Sequence, residues 1–428
     1  MCDMFRFPGI FLCMLLPMTV GAARLKILTI GDSLSKEYQY EVPFSAPEGS
    51  ATANTKNWVE TMTQLRSSLI NFGDTRNSSD LRVVGHEYNF SIPGHTAAQW
   101  AQILSNNPKT GADIITNYNL INYVADNDVG VVVIFLGGND LDNDYGAISK
   151  NATPPASLAA IRNNIASIHD YLRSYNATIP IVICTVPDVG ATYEVAQANT
   201  TSAEKATARQ RTAALNTDII AMAATRNAKV ARIDKLTDRL FDEHPFTING
   251  TEFIYPPDTQ NEKHRLFCRD GFHPGAAAQA LVANEIITAL NEATTANIPL
   301  LGNREILSSV LSFNPDQPYL TWAGSNGGML DNPDGDGLPN LTEYILGTQA
   351  SKADSPFTYG ANGTLSFTPQ ANALQFASLA VEESATLKPG EWTAVPSSRI
   401  SIGVGGQWTV APSNSNRNFY RLAAEAKP

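Results

Sequence analysis

The chain has 428 residues, a length at which more than one folded domain is expected. Its formal net charge is −11 at pH 7. This acidity argues against a nucleic-acid partner and against binding to an anionic membrane surface, because like charges repel each other. The cysteines and histidines also lack the spacing of a zinc site.

Residues 1–23 are predicted to be a secretory signal peptide. An apolar stretch at residues 9–18 is followed by the small residues Gly21, Ala22 and Ala23, which suit a cleavage site. The apolar stretch is too short to span a membrane comfortably, although an uncleaved anchor is the alternative. We therefore expect a protein that is secreted, periplasmic or at the cell surface, without a transmembrane span in the mature chain.

Residues 24–296 alternate between two apolar patterns. β-Branched runs predict strands at residues 25–30, 81–84, 129–136, 179–185 and 229–233. Apolar residues at helical spacing predict helices at residues 58–72, 156–176, 202–226 and 275–293. Strands that alternate with helices predict an α/β domain with a parallel sheet and right-handed crossovers. The flavodoxin-like arrangement, with three layers in the order αβα, is the natural member of this class.

The first predicted strand ends in Gly31, Asp32 and Ser33, which would place a serine on rigid backbone at the edge of the sheet where α/β proteins bind ligands. A serine nucleophile needs a base, and the base needs a group that orients it. Asp270 and His273 stand three residues apart on a glycine-containing loop, so the carboxylate can bond one ring nitrogen while the other faces a serine. A plain turn is the alternative interpretation of the Gly-Asp-Ser segment.

Two further segments offer hydrogen-bond donors for an oxyanion. Gly94 has a backbone N–H that can approach a ligand closely, because glycine has no side chain. Asn139 follows two glycines at the end of the strand predicted at residues 129–136, which places an amide side chain at a strand end. Donors of this kind stabilise the negative oxygen that forms during acyl transfer.

These four blocks, in this order, resemble the SGNH (GDSL-type) esterase/lipase family over about residues 25–295. The resemblance implies a flavodoxin-like hydrolase fold with Ser33 as nucleophile, His273 as general base and then acid, and Asp270 orienting His273. It also implies an oxyanion hole made by the N–H groups of Ser33 and Gly94 and the side-chain amide of Asn139, and no cofactor for catalysis. The stretch between Ser33 and residue 58 is longer and more polar than the family pattern, which leaves substrate choice open.

Residues 297–320 contain several prolines and are predicted to be a linker, and residues 321–354 carry a candidate calcium loop. Side-chain oxygens recur at alternate positions of a twelve-residue loop, a glycine permits its sharp turn, and a glutamate closes it, as hard cations require. The candidate ligands are Asn332, Asp334, Asp336, Leu338 through its carbonyl, Asn340 and Glu343. The loop resembles the single calcium loops of dockerin and thrombospondin type-3 repeats, and the alternative is an acidic, solvated turn without Ca²⁺.

In residues 355–428 the apolar residues no longer recur at helical spacing, and this part of the chain is predicted to form a small all-β sandwich. Short alternating segments predict strands at residues 365–368, 374–376, 392–395, 407–410 and 418–422. Trp392 and Trp408 are expected in its core, with carbohydrate binding as the alternative. Cys184 and Cys268 are the cysteines that remain after signal removal, and the sequence leaves open whether they pair.

The pattern as a whole predicts a secreted serine esterase that forms an acyl-enzyme. A polar segment after Ser33 and an appended β domain favour acetyl or other short-chain esters on carbohydrate, with an acylated polysaccharide as the substrate class. Two alternatives stay open: a catalytically inactive surface or carbohydrate-binding protein, and a lipase for longer chains. The oligomeric state also stays open.

Overall fold

The computed structural model describes residues 23–41, 54–197, 200–243, 245–260, 262–413 and 419–427. The predicted signal peptide lies almost wholly outside these residues. Within the described parts of the chain, no helix combines the length and the apolar character that a membrane span requires.

A five-stranded sheet of order β2-β1-β5-β6-β7 forms the centre of the molecule. The first nine strands of the chain are β1 (Leu25–Gly31), β2 (Ile70–Asn71), β3 (Thr75–Asn77), β4 (Val84–His86), β5 (Val131–Phe135), β6 (Ile181–Cys184), β7 (Lys229–Ala231), β8 (Phe246–Ile248) and β9 (Thr251–Phe253). All pairings in the central sheet are parallel, and Ile27 of β1 lies opposite Val131 of β5. Every residue of β5 is buried, as expected of a parallel strand that is covered on both faces.

Helices cover both faces of this sheet. They are α1 (Trp58–Leu65), α2 (Ala97–Ile103), α3 (Gly111–Ala125), α4 (Gly138–Lys150), α5 (Ala156–Tyr175), α6 (Tyr193–Gln197), α7 (Ser202–Thr225), α8 (Ile233–Asp242) and α9 (Ala276–Ala293). One apolar layer includes Leu28, Trp100 and Ile165, and the opposite layer includes Ile27, Trp58 and Ile286. The predicted three-layer αβα fold with a parallel sheet is therefore confirmed.

Two of the predicted elements in this part of the chain are wrong in extent. The helix predicted at residues 58–72 ends at Leu65, and the chain returns as the short edge strand β2. The strand predicted at residues 81–84 is mostly a turn, because Val83 has a φ of 63° and the strand β4 begins only at Val84. A residue with a left-handed backbone conformation cannot continue an extended strand.

The segment 297–320 is not the linker that its prolines predicted. Its apolar side chains Ile298, Leu301, Ile306 and Leu307 are buried in the layer that contains α9. The segment contains α10 (Asn303–Glu305), which continues as a π-helical turn (Ile306–Val310), and the start of α11 (Gln317–Ala323). Hydrophobic burial therefore attaches residues 298–313 to the first domain, whereas Tyr319 packs in an apolar cluster of the C-terminal part.

Two antiparallel sheets make up the C-terminal part, as the predicted small β domain requires. A four-stranded sheet has the order β10-β11-β15-β14, and a three-stranded sheet has the order β13-β12-β16. Their strands are β10 (Thr358–Tyr359), β11 (Leu365–Phe367), β12 (Ala377–Ser384), β13 (Thr393–Ala394), β14 (Ile400–Ile402), β15 (Trp408–Val410) and β16 (Phe419–Ala426). The remaining helices are α12 (Asn340–Leu346) and α13 (Ala371–Phe376), and the short 3₁₀ turns are Tyr38–Tyr40, Val189–Ala191, Ser397–Arg399 and Val404–Gly406.

The predicted strand at residues 374–376 is wrong, because these residues end the helix α13 and place Phe376 in a small apolar cluster with Tyr319 and Ile345. Trp408 packs against Phe367 with ring centroids 5.8 Å apart, as expected of a core residue. Trp392 is partly buried under the Arg421 guanidinium, which lies 4.6 Å from its ring centroid.

The two cysteines of the first domain do not pair. Cys184 and Cys268 are both free and buried. Cys184 belongs to β6 and packs in the layer that contains α9, so it acts as a small apolar side chain there.

Candidate active site

Ser33 lies in a tight turn directly after β1. The carbonyl of Asp32 accepts hydrogen bonds from the N–H groups of Ser35 and Lys36, and the Asp32 side chain accepts one from the Leu34 N–H at 2.9 Å. Glycine is required at position 31, because a Cβ there would lie only 2.8 Å from the side chains of Ser35 and Ser91. The turn therefore fixes Ser33 at the carboxyl end of the sheet.

Ser33, His273 and Asp270 form a continuous hydrogen-bonded chain. His273 Nε2 lies 2.7 Å from Ser33 Oγ, and His273 Nδ1 lies 2.6 Å from Asp270 Oδ2. The other oxygen of Asp270 accepts the N–H groups of Phe272 and His273 at 3.0 and 3.1 Å. Burial raises the pKa of Asp270, but its hydrogen bond to His273, the charge of that ring and the two N–H groups outweigh burial, so the pKa is lowered overall.

A backbone hydrogen bond within the loop and the distant Tyr38 side chain hold the His273 loop in place. The Cys268 N–H donates to the His273 carbonyl at 2.8 Å, and the Tyr38 hydroxyl donates to the Pro274 carbonyl at 3.3 Å. Gln279 in turn donates to the Tyr38 hydroxyl at 2.7 Å. Sequence reasoning missed Tyr38 and Gln279; a polar glutamine among the alanines of an otherwise apolar helix face was the available signal.

Gly94 and Asn139 meet at the same end of the sheet. The Asn139 amide donates to the His95 carbonyl at 3.1 Å, and Asp140 accepts the Ala97 N–H at 2.9 Å, so the first turn of α4 holds the Gly94 loop. Gly94 has a φ of +72° and is exposed, and a Cβ there would meet no atom within 4 Å. No described residue accepts a hydrogen bond from its N–H, which leaves that donor for a ligand.

The Gly31 carbonyl ties β1 to the Gly94 loop. It accepts the Trp100 indole N–H at 2.9 Å and the Ile92 N–H at 3.1 Å. Trp100 is wholly buried, and nothing in the spacing of the sequence pointed to this contact.

Several carboxyl groups surround His273. Glu41, Asp142 and Glu194 lie close enough for their pKa values to be lowered by the His273 charge, although burial raises each of them overall. Asp32 is almost wholly buried, and burial raises its pKa to about 7. Negative charge on Glu41, Asp142 and Glu194 disfavours an anionic substrate at this site.

The other described histidines have different partners. Nδ1 of His86 lies 2.7 Å from Glu37, Nδ1 of His169 lies 2.9 Å from Asp170, and His264 pairs with Glu262. Nδ1 of His95 lies 3.4 Å from the Pro93 carbonyl, and His244 lies outside the described residues. Among the described histidines, His273 alone joins a serine hydroxyl to a carboxylate.

The model of the family described as GDSL-like lipase/acylhydrolase matches residues 27–286, more than half of the chain. The chain belongs to this family. The family model thus covers the central sheet, the Ser33 turn and most of α9, and identifies the protein as an esterase or acylhydrolase. A comparison with curated proteins gave no match.

Several solved structures are similar to the chain at low sequence identity. An acetyl xylan esterase, AlAXEase, is 14% identical, with 62% of this chain and 100% of that chain covered and a TM-score of 0.33. A family 3 carbohydrate esterase from Talaromyces cellulolyticus is 14% identical, with 63% and 97% covered and a TM-score of 0.34. A lipase/acylhydrolase from Enterococcus faecalis is 17% identical, with 63% and 96% covered and a TM-score of 0.33.

A second candidate site lies in the predicted calcium loop. Carboxylate oxygens of Asp334, Asp336 and Glu343 all lie within 4.8 Å of one another. Glu343 is wholly buried, and its Oε2 has no hydrogen-bond partner among the described residues, nor has Asp334 Oδ2. Burial, followed by the charges of Asp334 and Asp336, raises the pKa of Glu343 to about 7.

The other predicted ligands of this loop have different surroundings. Asn332 Oδ1 accepts the Gly335 N–H at 3.0 Å, and the Leu338 N–H donates to Asp336 at 2.7 Å. The Asn340 amide donates to the carbonyls of Asn326 and Gly328 at 2.9 and 3.0 Å. These bonds use only the amide nitrogen; Asn340 Oδ1 is buried without a hydrogen-bond partner among the described residues, so its role as a cation ligand stays a prediction.

Proposed function

We propose that this family member is a serine esterase that works through an acyl-enzyme. The observation that carries the proposal is the pair of short hydrogen bonds from Ser33 through His273 to Asp270. A hydroxyl bonded to an imidazole nitrogen can transfer its proton as it attacks a carbonyl carbon. The depressed pKa of Asp270 keeps the carboxylate ionised opposite the ring that receives this proton.

The reaction follows from this geometry in two halves. Ser33 Oγ attacks the ester carbonyl while His273 Nε2 takes its proton, and His273 then donates the proton to the departing alcohol. Water attacks the resulting acyl-enzyme while His273 takes its proton, and His273 then returns a proton to Ser33 Oγ as the carboxylic acid leaves. Asp270 holds Nδ1 of the ring throughout and stabilises the imidazolium form.

The oxyanion of each tetrahedral intermediate needs donors beside Ser33. We propose the N–H groups of Ser33 and Gly94 and the side-chain amide of Asn139 for this role. The support is the open space beside Gly94 and the contact of Asn139 with the adjoining His95 carbonyl. One N–H of the Asn139 amide makes that contact, and the second is available to the oxyanion.

The proposed substrates are short-chain or acetyl esters on carbohydrate, met outside the cytoplasm. The support is the signal-like pattern of residues 1–23 and the presence of a β domain after the hydrolase domain. The carboxyl groups around His273 favour a neutral ester and would repel the carboxylate product.

Release of acetate from acetylated polysaccharides tests this substrate class. We expect the full chain to release acetate from at least one acetylated glycan and to hydrolyse p-nitrophenyl acetate. Hydrolysis of the aryl ester without release of acetate from any glycan would contradict the assignment of a carbohydrate substrate. The assignment as an esterase would then still stand. Hydrolysis of neither, with binding to glycans, would favour the alternative of an inactive carbohydrate-binding protein.

We also propose that Asp334, Asp336 and Glu343 hold a Ca²⁺ ion. A buried carboxylate oxygen without a partner is costly unless a cation or donor compensates it, and Glu343 Oε2 is such an atom. Calcium prefers carboxylate oxygens, and a glutamate at this position of the loop can supply two. The proposed ion would stabilise the fold and take no part in ester chemistry.

Calcium removal is expected to lower the melting temperature of the wild-type protein but not of Glu343→Gln. A ligand that binds only the folded state stabilises it by mass action, and the substitution removes the proposed bidentate ligand. Glu425→Gln, at an exposed glutamate of β16, is the matched control and should keep the wild-type response to EDTA. The measurement is thermal unfolding with excess Ca²⁺ or with EDTA.

The pH dependence of the metal-free proteins gives a second readout. The raised pKa of Glu343 means that the metal-free folded state loses stability as the pH rises from about 4.5 to about 7. In EDTA, Glu343→Gln should therefore melt above the wild type at pH 8, and this difference should shrink at pH 5. Persistent EDTA sensitivity in Glu343→Gln, or immediate loss of esterase activity in EDTA with the fold intact, would refute the structural calcium site.

A further inference from the structure

A small apolar cavity of about 50 Å³ lies beside the proposed active site. Leu34, which follows Ser33, and Gly138, which precedes Asn139, contribute to its wall. Phe272 and Pro274, the neighbours of His273 in the sequence, contribute to the same wall. The cavity therefore adjoins all three segments that carry the reacting groups.

Other elements complete the wall of the cavity. Leu240 of α8, Ala191 and Phe267 also line it, and nearly all of its exposed lining surface is apolar. Asp188 is the one acidic residue in the lining; its Oδ1 accepts the Gly190 N–H at 2.9 Å, and its Oδ2 is buried without a partner among the described residues. A cavity of this composition accepts a neutral, apolar group and disfavours an anionic one.

The volume sets the size of the group that fits. A cavity of about 50 Å³ exceeds the roughly 10–15 Å³ that one water molecule requires, and is far smaller than the roughly 300 Å³ or more of pockets that bury a drug-sized ligand. It therefore suits a short acyl group such as acetyl or propionyl. A longer chain such as hexanoyl would have to displace the wall.

We propose that this cavity receives the acyl group of the ester and restricts the enzyme to acetyl and propionyl esters. The proposal rests on the function proposed for Ser33 and extends it by assigning the residues that limit acyl length. Leu240 and Ala191 are the residues to test, because their side chains can change the cavity volume without touching Ser33, His273 or Asp270.

Leu240→Ala enlarges the cavity and should raise the ratio of kcat/KM for p-nitrophenyl hexanoate to that for the acetate by about tenfold or more. Leu236→Ala, one turn earlier on the same helix, removes an equivalent side chain that packs on the core outside the cavity lining. This control should keep the wild-type ratio. Ala191→Val fills the cavity instead and should lower the propionate-to-acetate ratio by about tenfold.

A wild-type preference for hexanoate over acetate would overturn the proposal and favour the lipase for longer chains. An unchanged ratio in folded Leu240→Ala would also overturn it, and Ala191→Val decides the question if Leu240→Ala does not fold. Equal changes in Leu236→Ala and Leu240→Ala would also overturn the proposal, because a general loosening of α8 rather than the cavity would then set the ratio. Failure of Ser33 to react with a fluorophosphonate would instead overturn the proposed esterase function itself.

Discussion

Ser33→Ala is expected to abolish hydrolysis of p-nitrophenyl acetate, with a fall in rate on the order of 10⁴–10⁶. The variant cannot form the acyl-enzyme, because the methyl group that replaces the hydroxyl has no oxygen to attack the carbonyl. The hydroxyl bonds His273 Nε2 at 2.7 Å, so the substitution removes one end of the hydrogen-bonded chain. The measurement is the initial rate at saturating substrate, with thermal unfolding to confirm that the fold is intact.

Ser68→Ala is the matched control for this experiment. Ser68 is exposed and lies after α1, away from the turn that follows β1. We expect it to keep the wild-type rate. Retention of more than about a tenth of the wild-type activity in Ser33→Ala would show that another group is the nucleophile.

Asn139→Ala is expected to lower kcat by a factor on the order of 10²–10³, with a much smaller change in KM. The amide is proposed to donate to an oxygen that becomes negative only in the transition state, so its loss affects the chemical step rather than substrate binding. Asn143→Ala, one turn later on α4 and exposed, is the matched control and should leave both constants unchanged.

The split between the two kinetic constants decides the role of Asn139. Its amide also donates to the His95 carbonyl and so holds the Gly94 loop. A change confined to KM would show that Asn139 positions substrate or loop and does not stabilise the oxyanion. Comparison of melting temperatures shows how much of the effect comes from a looser loop.

The arrangement of the proposed triad could be predicted because its residues follow strong local patterns. Ser33 and Asn139 each stand at the end of an apolar run, and the carboxyl ends of parallel strands meet at one edge of the sheet. Asp270 and His273 are three residues apart, so local loop geometry alone brings them together. The contact between this loop and Ser33, which lies 240 residues earlier in the chain, was implied only by the family resemblance.

The residues that support the site could not be predicted, because their contacts join distant parts of the chain. Trp100 bonds the Gly31 carbonyl, and Gln279 bonds the Tyr38 hydroxyl. The polar Gln279 stands out on an apolar helix face, but no local pattern names the partner in either pair. Tertiary packing also explains why two predictions of local structure are wrong. The prolines of residues 297–320 suggested a linker, whereas the burial of Ile306 and Leu307 fixes that segment on the core. Residues 374–376 carried a strand-like pattern, and packing of Phe376 against Tyr319 accompanies a helix there.

Covalent labelling of the wild-type protein with a fluorophosphonate probe, followed by peptide mass spectrometry, tests the central claim most directly. The probe reacts with a serine hydroxyl that an adjacent base activates, and Ser33 alone is proposed to have this environment. The account predicts one probe per chain, attached to Ser33, with loss of ester hydrolysis in proportion to labelling. An unlabelled Ser33 in a fully active protein, or inactivation by a probe attached to another serine, would contradict it.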